Sequence, residues 1–439
     1  MTEERDQIRR KEAELLTRTG PGTEMGALLR RYWQPVALSR ELPMAGAPQA
    51  ITIMDEALVL YRDDNGDAGL LDRKCAHRCA DLSYGRVEDG GLRCLYHGWL
   101  FDKQGKCLQQ PTESAEAQAS NTILQKAYPC HEAAGAIWAY LGPDPVPLFP
   151  NYAALQASED HVFVERWLTN CNFLQGNEGN LDPSHTSYLH AYVQEGDEAS
   201  WTEAFSGFQK DTAPQLTVDD TRFGIRIMAE RDTGKDSRKM LRVSNFVMPN
   251  AAAANGFETG FGRGGCAMVW HVPINDTQHW RYEFTFHKNV SLKDGLGEIE
   301  KIYNNEVNED GGLKRRGADG FVQDREEMKS RSFAGLGPCF PIHDIFIVEG
   351  QGEIHQHENE NLVQSDVAIV RARQQLREAL RKLKNNEDPR GIVREADDNC
   401  FNDLFVITED VDQDIDCRTF CRELEEEDIY ELKSGSTSS

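Results

Sequence analysis

Apolar and polar positions change period several times along the chain, and each change marks an element. Residues 1–20 carry the three-to-four spacing of an amphipathic helix that stops at Thr19-Gly20-Pro21-Gly22, and residues 25–33 read as a second short helix. From Val36 to about Val146 the period drops to two, in short runs separated by Gly, Asp and Pro. The run ITIMDEALVLYRDDNGDAGLLD, read as strand, Asn-Gly turn and strand, is typical of this small β domain. A proline-rich link, LGPDPVPLFP (141–150), follows. Beyond it come a strand over 161–167, a helix over 172–190 and a loop region rich in Gly, Asp and Glu. Four strand-like runs then succeed one another: RFGIRIMAER, MLRVSNFVMP, CAMVWHVPIN and HWRYEFTFHK. They predict an antiparallel sheet with one face lining a cavity. Residues 290–335 read as charged, helical or loop-like sequence. A further helix begins in 341–357, and SDVAIVRARQQLREALRKLK (365–384) predicts a long amphipathic one. From Asp388 the chain turns acidic, with an ordered edge at 425–427 and SGSTSS as a loose tail. The expected divisions are a helical segment 1–35, a β domain 36–146, an α+β domain 147–385 and an acidic extension 386–439, with no internal repeat.

At 439 residues, 39% hydrophobic and 28% charged, the composition is that of a globular protein of two or three domains. No apolar run approaches the ~20 residues of a membrane span, and the charged N-terminus lacks the apolar core of a signal peptide. A net charge of −25 argues against nucleic acid or an anionic membrane as the main partner. Eleven cysteines, unevenly spaced, fit metal-bound thiolates in a reducing cytoplasm better than a disulfide framework.

Candidate chemistry falls in two places. On the helix NFLQGNEGNLDPSHTSYLH, Asn172, Gln175, Glu178 and Asp182 form one polar stripe, which needs charged or hydrogen-bonding neighbours if buried. His185 and His190 lie at its end, about 140° apart on a regular helix at ~100° per residue. They converge on one ion only if the turn is distorted, and Pro183 provides a break. Upstream, Cys75-Ala-His77 and Cys94-Leu-Tyr-His97 are separated by sixteen residues, each in a loop between strand signals. Two thiolates and two imidazoles suit zinc or a [2Fe–2S] cluster with histidines on one iron. Zinc sites usually group like ligands, whereas here each loop supplies one Cys and one His. Tyr96, Gly98 and Trp99 add a tight turn and apolar shielding, and Cys79 and Cys107 read as packed loop thiols outside the ligand set.

The pattern CxHR…CxYHGW closely resembles a Rieske iron–sulfur domain. A Rieske domain followed by D-x-x-H-x₄-H resembles the large component of the Rieske non-haem iron ring-hydroxylating oxygenases. LLTRTGPGTEMGALLRRYWQPVAL, NxxQxxEGxxDxxHxxxxH and WHVPINDTxHWRYEF are similar to the phthalate 4,5-dioxygenase-like branch, and the likeness weakens after about residue 385. The resemblance implies an α+β fold in which an all-β Rieske domain precedes a catalytic domain with a helix-grip, START-like antiparallel sheet. It implies a mononuclear Fe(II) on His185, His190 and a late carboxylate, with Asp344 expected and Glu349 the alternative; His343 is excluded because three histidines would not match the site. It implies that Asp182 bridges His185 to His97 of a neighbouring subunit, against the plainer reading of a cap before Pro183. That requires a head-to-tail homotrimer or a dimer of trimers. O₂ would be the co-substrate, and a separate NAD(P)H-dependent reductase the electron source, since neither ferredoxin cysteine spacing nor GxGxxG is present. The substrate would be an aromatic, carboxylated molecule. Arg226 and Arg242 are candidates to pair with it, and Met228, Phe246, Met248 and Trp270 are candidate cavity wall. Monooxygenation, including O- or N-demethylation, would use the same iron. A Rieske electron-transfer protein, a binding module and a zinc-binding structural protein are the other readings; the second motif, the chain length and the mirrored Cys/His halves count against them.

Overall fold

The computed structural model describes the chain except residues 1, 121, 192–207, 235–236, 256–262, 293–304, 309–310, 428 and 431–439. The Gly/Asp/Glu-rich loop after His190, much of 290–335 and the SGSTSS tail therefore lie outside the described residues.

Helix α1 (Thr2–Thr17) and a second helix, α2 (Glu24–Leu29), lead into the first domain. The second helix is shorter than its periodicity predicts, because Trp33 already belongs to strand β1 (Trp33–Leu38). Ten further strands follow: β2 (Gln49–Ile53), β3 (Glu56–Arg62), β4 (Ala68–Asp72), β5 (Arg86–Glu88), β6 (Gly91–Arg93), β7 (Leu100–Phe101), β8 (Cys107–Gln109), β9 (Ala127–Tyr128), β10 (Cys130–Ala133) and β11 (Ala136–Tyr140). They form three antiparallel sheets, ordered β1-β11-β10, β2-β3-β4-β9 and β5-β6-β7-β8. The Asn65-Gly66 turn joins β3 to β4 as expected, with Gly66 at φ 89°. The tighter β2–β3 turn is Met54-Asp55, two non-glycine residues at φ 51° and 60°. That costs backbone strain. The tip is held from outside, since Met54 N and Asp55 N donate to Pro273 O and Ile274 O of the second domain.

The second domain is built on an eight-stranded antiparallel sheet of β12 (Val162–Thr169), β13 (Gln215–Asp220), β14 (Gly224–Asp232), β15 (Arg238–Val247), β16 (Ala251–Ala254), β17 (Gly265–Asn275), β18 (Gln278–His287) and β19 (Ile407–Asp412). The order is β12-β18-β17-β16-β15-β14-β13, with β19 pairing β15 beyond β16. Helices α3 (Phe173–Leu181), α4 (Phe340–Gly350) and α5 (Val367–Lys384) pack with it, and α6 (Cys417–Glu427) is the last helix among the described residues. The described part of the acidic segment after 385 packs into this domain. Its β19 runs from Ile407↔Val243 to Asp412↔Arg238, and Arg226 on β14 pairs with Glu425 of α6. The proline-rich link does not separate two bodies either. Trp138 of β11 meets Trp270 edge-on at 5.1 Å and stacks on Phe284 at 5.3 Å, so the two domains share one core. No helix among the described residues is long and apolar enough to cross a membrane.

The polar stripe of α3 is buried, and its partners are now clear. Asn172 caps the helix through Leu174 N (3.1 Å) and donates to Thr17 O and Asp276 O. Gln175 donates to Val348 O and Gly352 O, tying α3 to the end of α4. Glu178 accepts from Nε and Nη2 of Arg373 on α5 at 2.6 and 2.7 Å. Three polar side chains therefore lock three helices, and only Asp182 remains for the site at the helix end.

Candidate metal centres and the cavities beside them

Helix α3 stops at Leu181, and the break at Asp182-Pro183 throws His185 onto a single 3₁₀ turn. The regular-helix separation is lost, so His185 and His190 do converge. With Asp344 of α4 they offer ligand atoms within 4.8 Å of one another. His190 Nε2 lies 3.1 Å and His185 Nε2 3.8 Å from Asp344 Oδ1. Glu349, the alternative carboxylate, sits elsewhere on α4 and accepts from Asn170 N at 2.7 Å.

His343 is no ligand, but it sets the tautomer of one. Its Nε2 donates to Gly337 O at 2.9 Å, which leaves Nδ1 as an acceptor. His190 Nδ1, 3.2 Å away, must then carry the proton, and its Nε2 presents a bare lone pair to Asp344. Two acceptors 3.1 Å apart repel unless a cation lies between them. Burial works against a proton in that place: it pushes the pKa of His190 down, despite the opposing pull of Asp344, and takes His343 to about 4. Burial alone would raise the Asp344 carboxyl, but His190, Arg281 and His185 hold it well below the usual range. The donor set, two imidazole nitrogens and one ionised carboxylate, fits Fe(II) with open positions.

Asp182 lies beside this triad. One oxygen accepts from Ser184 N at 2.7 Å, a turn at the C-terminal end of α3 rather than the N-cap expected for an acid before Pro183, since Ser184 holds the N-cap position of the next turn. The other is 3.9 Å from His185 Nδ1, which is buried and has no hydrogen-bond partner among the described residues. Within one chain the His97 ring packs on His77 and Tyr96, and no contact with Asp182 occurs among the described residues.

The Cys/His loops share one backbone turn. Cys75 N donates to Ala80 O and Cys94 N to Trp99 O, each at 2.8 Å; Cys79 N and Gly98 N return bonds to Cys75 O and Cys94 O. Cys79 and Gly98 hold the equivalent left-handed position, at φ 55° and 73°. The His77 and His97 rings are 4.5 Å apart, and Trp99 stacks on His77 at 4.4 Å. Cys75 and Cys94 are buried, and burial with Cys94 beside it raises the Cys75 thiol to about 11. Such a thiol ionises only with a metal to bind. His77 Nδ1 is likewise buried without a partner among the described residues. These groups fit a [2Fe–2S] cluster. Cys107 is packed as expected, but Cys79 is exposed, because the left-handed turn points it outward.

Two cavities meet at the triad and share Asn180, Asp182, His185, Arg281 and Asp344. The helix-side cavity, about 340 Å³, reaches Glu178 and Arg373 between α3, α4 and α5. The sheet-side cavity, about 80 Å³, is walled by Arg242, Ser244, Asn255, Glu283 and small residues of β16 and β17. Strand parity separates the candidate arginines. Arg242 pairs across the ladder with Ala229, so it shares a face with Arg231, while Arg226 points the opposite way. Arg242 reaches the cavity. Arg226 does not: its guanidinium bonds Glu425 and Asp403 O and lies over Phe405, so it anchors the C-terminal segment. Met228, Phe246, Met248 and Trp270 are core rather than wall of either cavity at the triad.

Sequence reasoning missed Arg281, whose Nη1 lies 3.3 Å from Asp344 Oδ2 and whose Nη2 lies 3.0 Å from Glu283. It also missed a buried chain in which His271 joins Asn180 (2.6 Å) to His279 (3.0 Å), which in turn meets Cys171 O. Burial keeps both imidazoles neutral, His279 near 4. The signal was available: residues 271, 279, 281 and 283 alternate on one face of two paired strands.

A family model for the Rieske [2Fe-2S] domain matches residues 32–129, and one for the LigXa C-terminal domain matches residues 139–437. The second extends through the acidic segment. The chain is 32% identical over 406 residues to the 3-chlorobenzoate-3,4-dioxygenase oxygenase subunit of Comamonas testosteroni, covering 88% of this chain and 92% of that one. It is 30% identical over 431 residues to the phthalate 4,5-dioxygenase oxygenase subunit of Pseudomonas putida, covering 92% and 93%. The crystal structure of dicamba monooxygenase has the same fold, with a TM-score of 0.55 at 18% identity over 82% of this chain and all of that one. With the Cys/His loops, the His185–His190–Asp344 triad and two relatives aligned along nearly their whole length, the chain belongs to the Rieske non-haem iron oxygenases, as an oxygenase component of the phthalate 4,5-dioxygenase-like branch.

Proposed function

We propose that this oxygenase hydroxylates an aromatic acid, drawing electrons from a separate NAD(P)H-dependent reductase and transferring them between subunits of a homotrimer or a dimer of trimers. His185, His190 and Asp344 would hold Fe(II), and Cys75, Cys94, His77 and His97 the cluster. When bound, the iron supplies O₂ activation and the cluster supplies electrons one at a time.

The observation that carries the substrate reading is Arg242. Its Nε is buried in the sheet-side cavity with no hydrogen-bond partner among the described residues. Burial lowers its pKa only to about 10, so it stays charged at neutral pH. Asp182 and Asp344 line the same cavity and offset part of the desolvation of this half-buried cation through space, and a ligand carboxylate would supply the hydrogen-bonded counter-ion that Nε lacks. The named substrates of the two relatives, 3-chlorobenzoate and phthalate, are aromatic acids.

Asp182 is the proposed electron bridge, with its second oxygen turned to His185. The subunit arrangement is supported by two exposed apolar edges: Leu95 and Tyr96 beside His97, and Ile347 and Leu362 at the helix-side cavity. None of the eleven cysteines is in a disulfide, which supports a cytoplasmic location. Product analysis with a panel of aromatic acids, O₂ and a generic reductase tests the reading and separates mono- from dihydroxylation. Arg242→Gln should raise KM for acids on the order of 10-fold or more. Turnover of neutral aromatics alone, insensitive to Arg242, would overturn the substrate class.

A further inference from the structure

The sheet-side cavity holds a carboxylate as well as a cation. Glu283 stands on β18, opposite Val269 of β17 and then Ala252 of β16, on the face that looks into the cavity. It is 6% exposed. Its one cationic partner is Arg281, through Oε2, and that oxygen has no hydrogen bond among the described residues. Arg281 is itself shared with Asp344. An ionised carboxylate can accept about four hydrogen bonds. The neighbouring cavity wall of Ala252, Ala254, Ala267 and Val269 offers no side-chain donor.

The other end of the cavity has the opposite character. Arg242 faces Thr408 across the β15–β19 ladder, and Thr408 Oγ1 donates to Asn255 Oδ1 at 2.7 Å. That bond leaves Asn255 Nδ2 buried with no partner among the described residues, as is Arg242 Nε. Unpaired donors therefore gather at one end and an under-bonded acceptor at the other. Arg242 and Glu283 lie on strands separated by β16 and β17 in the sheet order, and no ion pair joins them. Burial raises the pKa of the Glu283 carboxyl, Arg281 opposes that shift and Asp344 adds to it. Ionised against Arg281, Glu283 would repel a ligand that offers only a carboxylate. Its burial is explained if the ligand has two poles.

We propose that Glu283 is a specificity-determining residue, accepting a hydrogen bond from a hydroxyl or amino group on the aromatic acid whose carboxylate meets Arg242 and Asn255. The inference rests on the aromatic-acid reading of the same cavity and deepens it. The substrate class becomes the hydroxy- or amino-substituted aromatic acids.

The test is equilibrium binding of benzoate and the three monohydroxybenzoates to the iron-loaded holoenzyme by calorimetry, for wild type, Glu283→Gln and Arg242→Gln. At least one hydroxybenzoate should bind wild type 10- to 100-fold more tightly than benzoate, the range for a hydrogen bond to a charged group. Glu283→Gln should bring that ratio to within about threefold of unity while leaving benzoate affinity equal or better, because the repulsion is gone. Arg242→Gln should weaken all four acids together. Equal wild-type affinities for benzoate and every hydroxybenzoate would overturn the proposal. So would a Glu283→Gln protein that loses all four acids by one factor, since that is what a residue merely supporting Arg281 would do. If benzoate binds through Arg242 and the ratio ignores Glu283, only this proposal falls. If no acid binds wild type, the aromatic-acid reading falls with it.

Discussion

Replacing His343 with leucine should weaken Fe(II) binding while leaving the cluster intact. His343 is fully buried, so no water can take its place when the imidazole is removed. The loss is one hydrogen bond at 3.2 Å from His190 Nδ1, together with the tautomer that this bond enforces. A buried bond of this kind contributes about 1–3 kcal/mol, and outer partners of metal-bound histidines typically change affinity by about 10–100-fold, or roughly 1.4–2.7 kcal/mol. The two scales agree. His343→Asn is the paired control, because its side-chain oxygen stands near the lost Nδ1 and can again accept from His190. The assay is competition for Fe(II) against a chromophoric chelator, with cluster absorbance and thermal melting as controls for folding. Expected are a 10–100-fold rise in Kd for the leucine variant and partial recovery for asparagine. Wild-type affinity in His343→Leu, or an asparagine variant no better than leucine at equal melting temperature, would refute the assigned tautomer.

Asp182→Asn should keep both metals but slow oxidation of the reduced cluster in a single turnover, and an unchanged rate would remove Asp182 from the electron path. Cys79→Gly should stabilise the first domain by up to about 1 kcal/mol, read from its unfolding midpoint, because glycine accepts φ 55° without strain. The cluster spectrum should survive that change; its loss would make Cys79 a ligand. Acid should destabilise the fold before the carboxylates titrate. Burial holds His279 and His357 near 4, below the ordinary 6.5, so their contribution is complete above about pH 6.5 and is lost as pH falls toward 4. Between pH 7 and 5 the urea midpoint should drop by an amount worth roughly 2 kcal/mol per histidine, and a flat profile would mean that these imidazoles are not buried neutral.

Local spacing carried much of the chemistry. The Cys75/His77 and Cys94/His97 pairs and D-x-x-H-x₄-H were legible because the residues of each pair lie within a few positions of one another, where a turn or a helix break alone decides what converges. The meeting of the two loops, and of Asp344 with the histidines, took the fold. Amphipathic period placed α3, α5 and the four long strands for the same reason. Period-two alternation could show that Arg226 and Arg242 each point to one face of a strand, but not which face. The ladder decided that by setting Ala229 opposite Arg242, sending one arginine to Glu425 and the other to the cavity. Strand β16 is four alanines and β19 lies in an acidic run, so neither displays a pattern until the neighbouring strands supply their partners. The roles of His343, Arg281 and Glu283 likewise depend on groups as many as 153 residues away in the chain, as His343 is from His190. The sequence by itself determined which ligands this protein carries and the order in which it carries them. Register and packing alone decided which side chains face the iron, because burial and hydrogen-bond satisfaction are properties of the assembled sheet and helices, not of any segment.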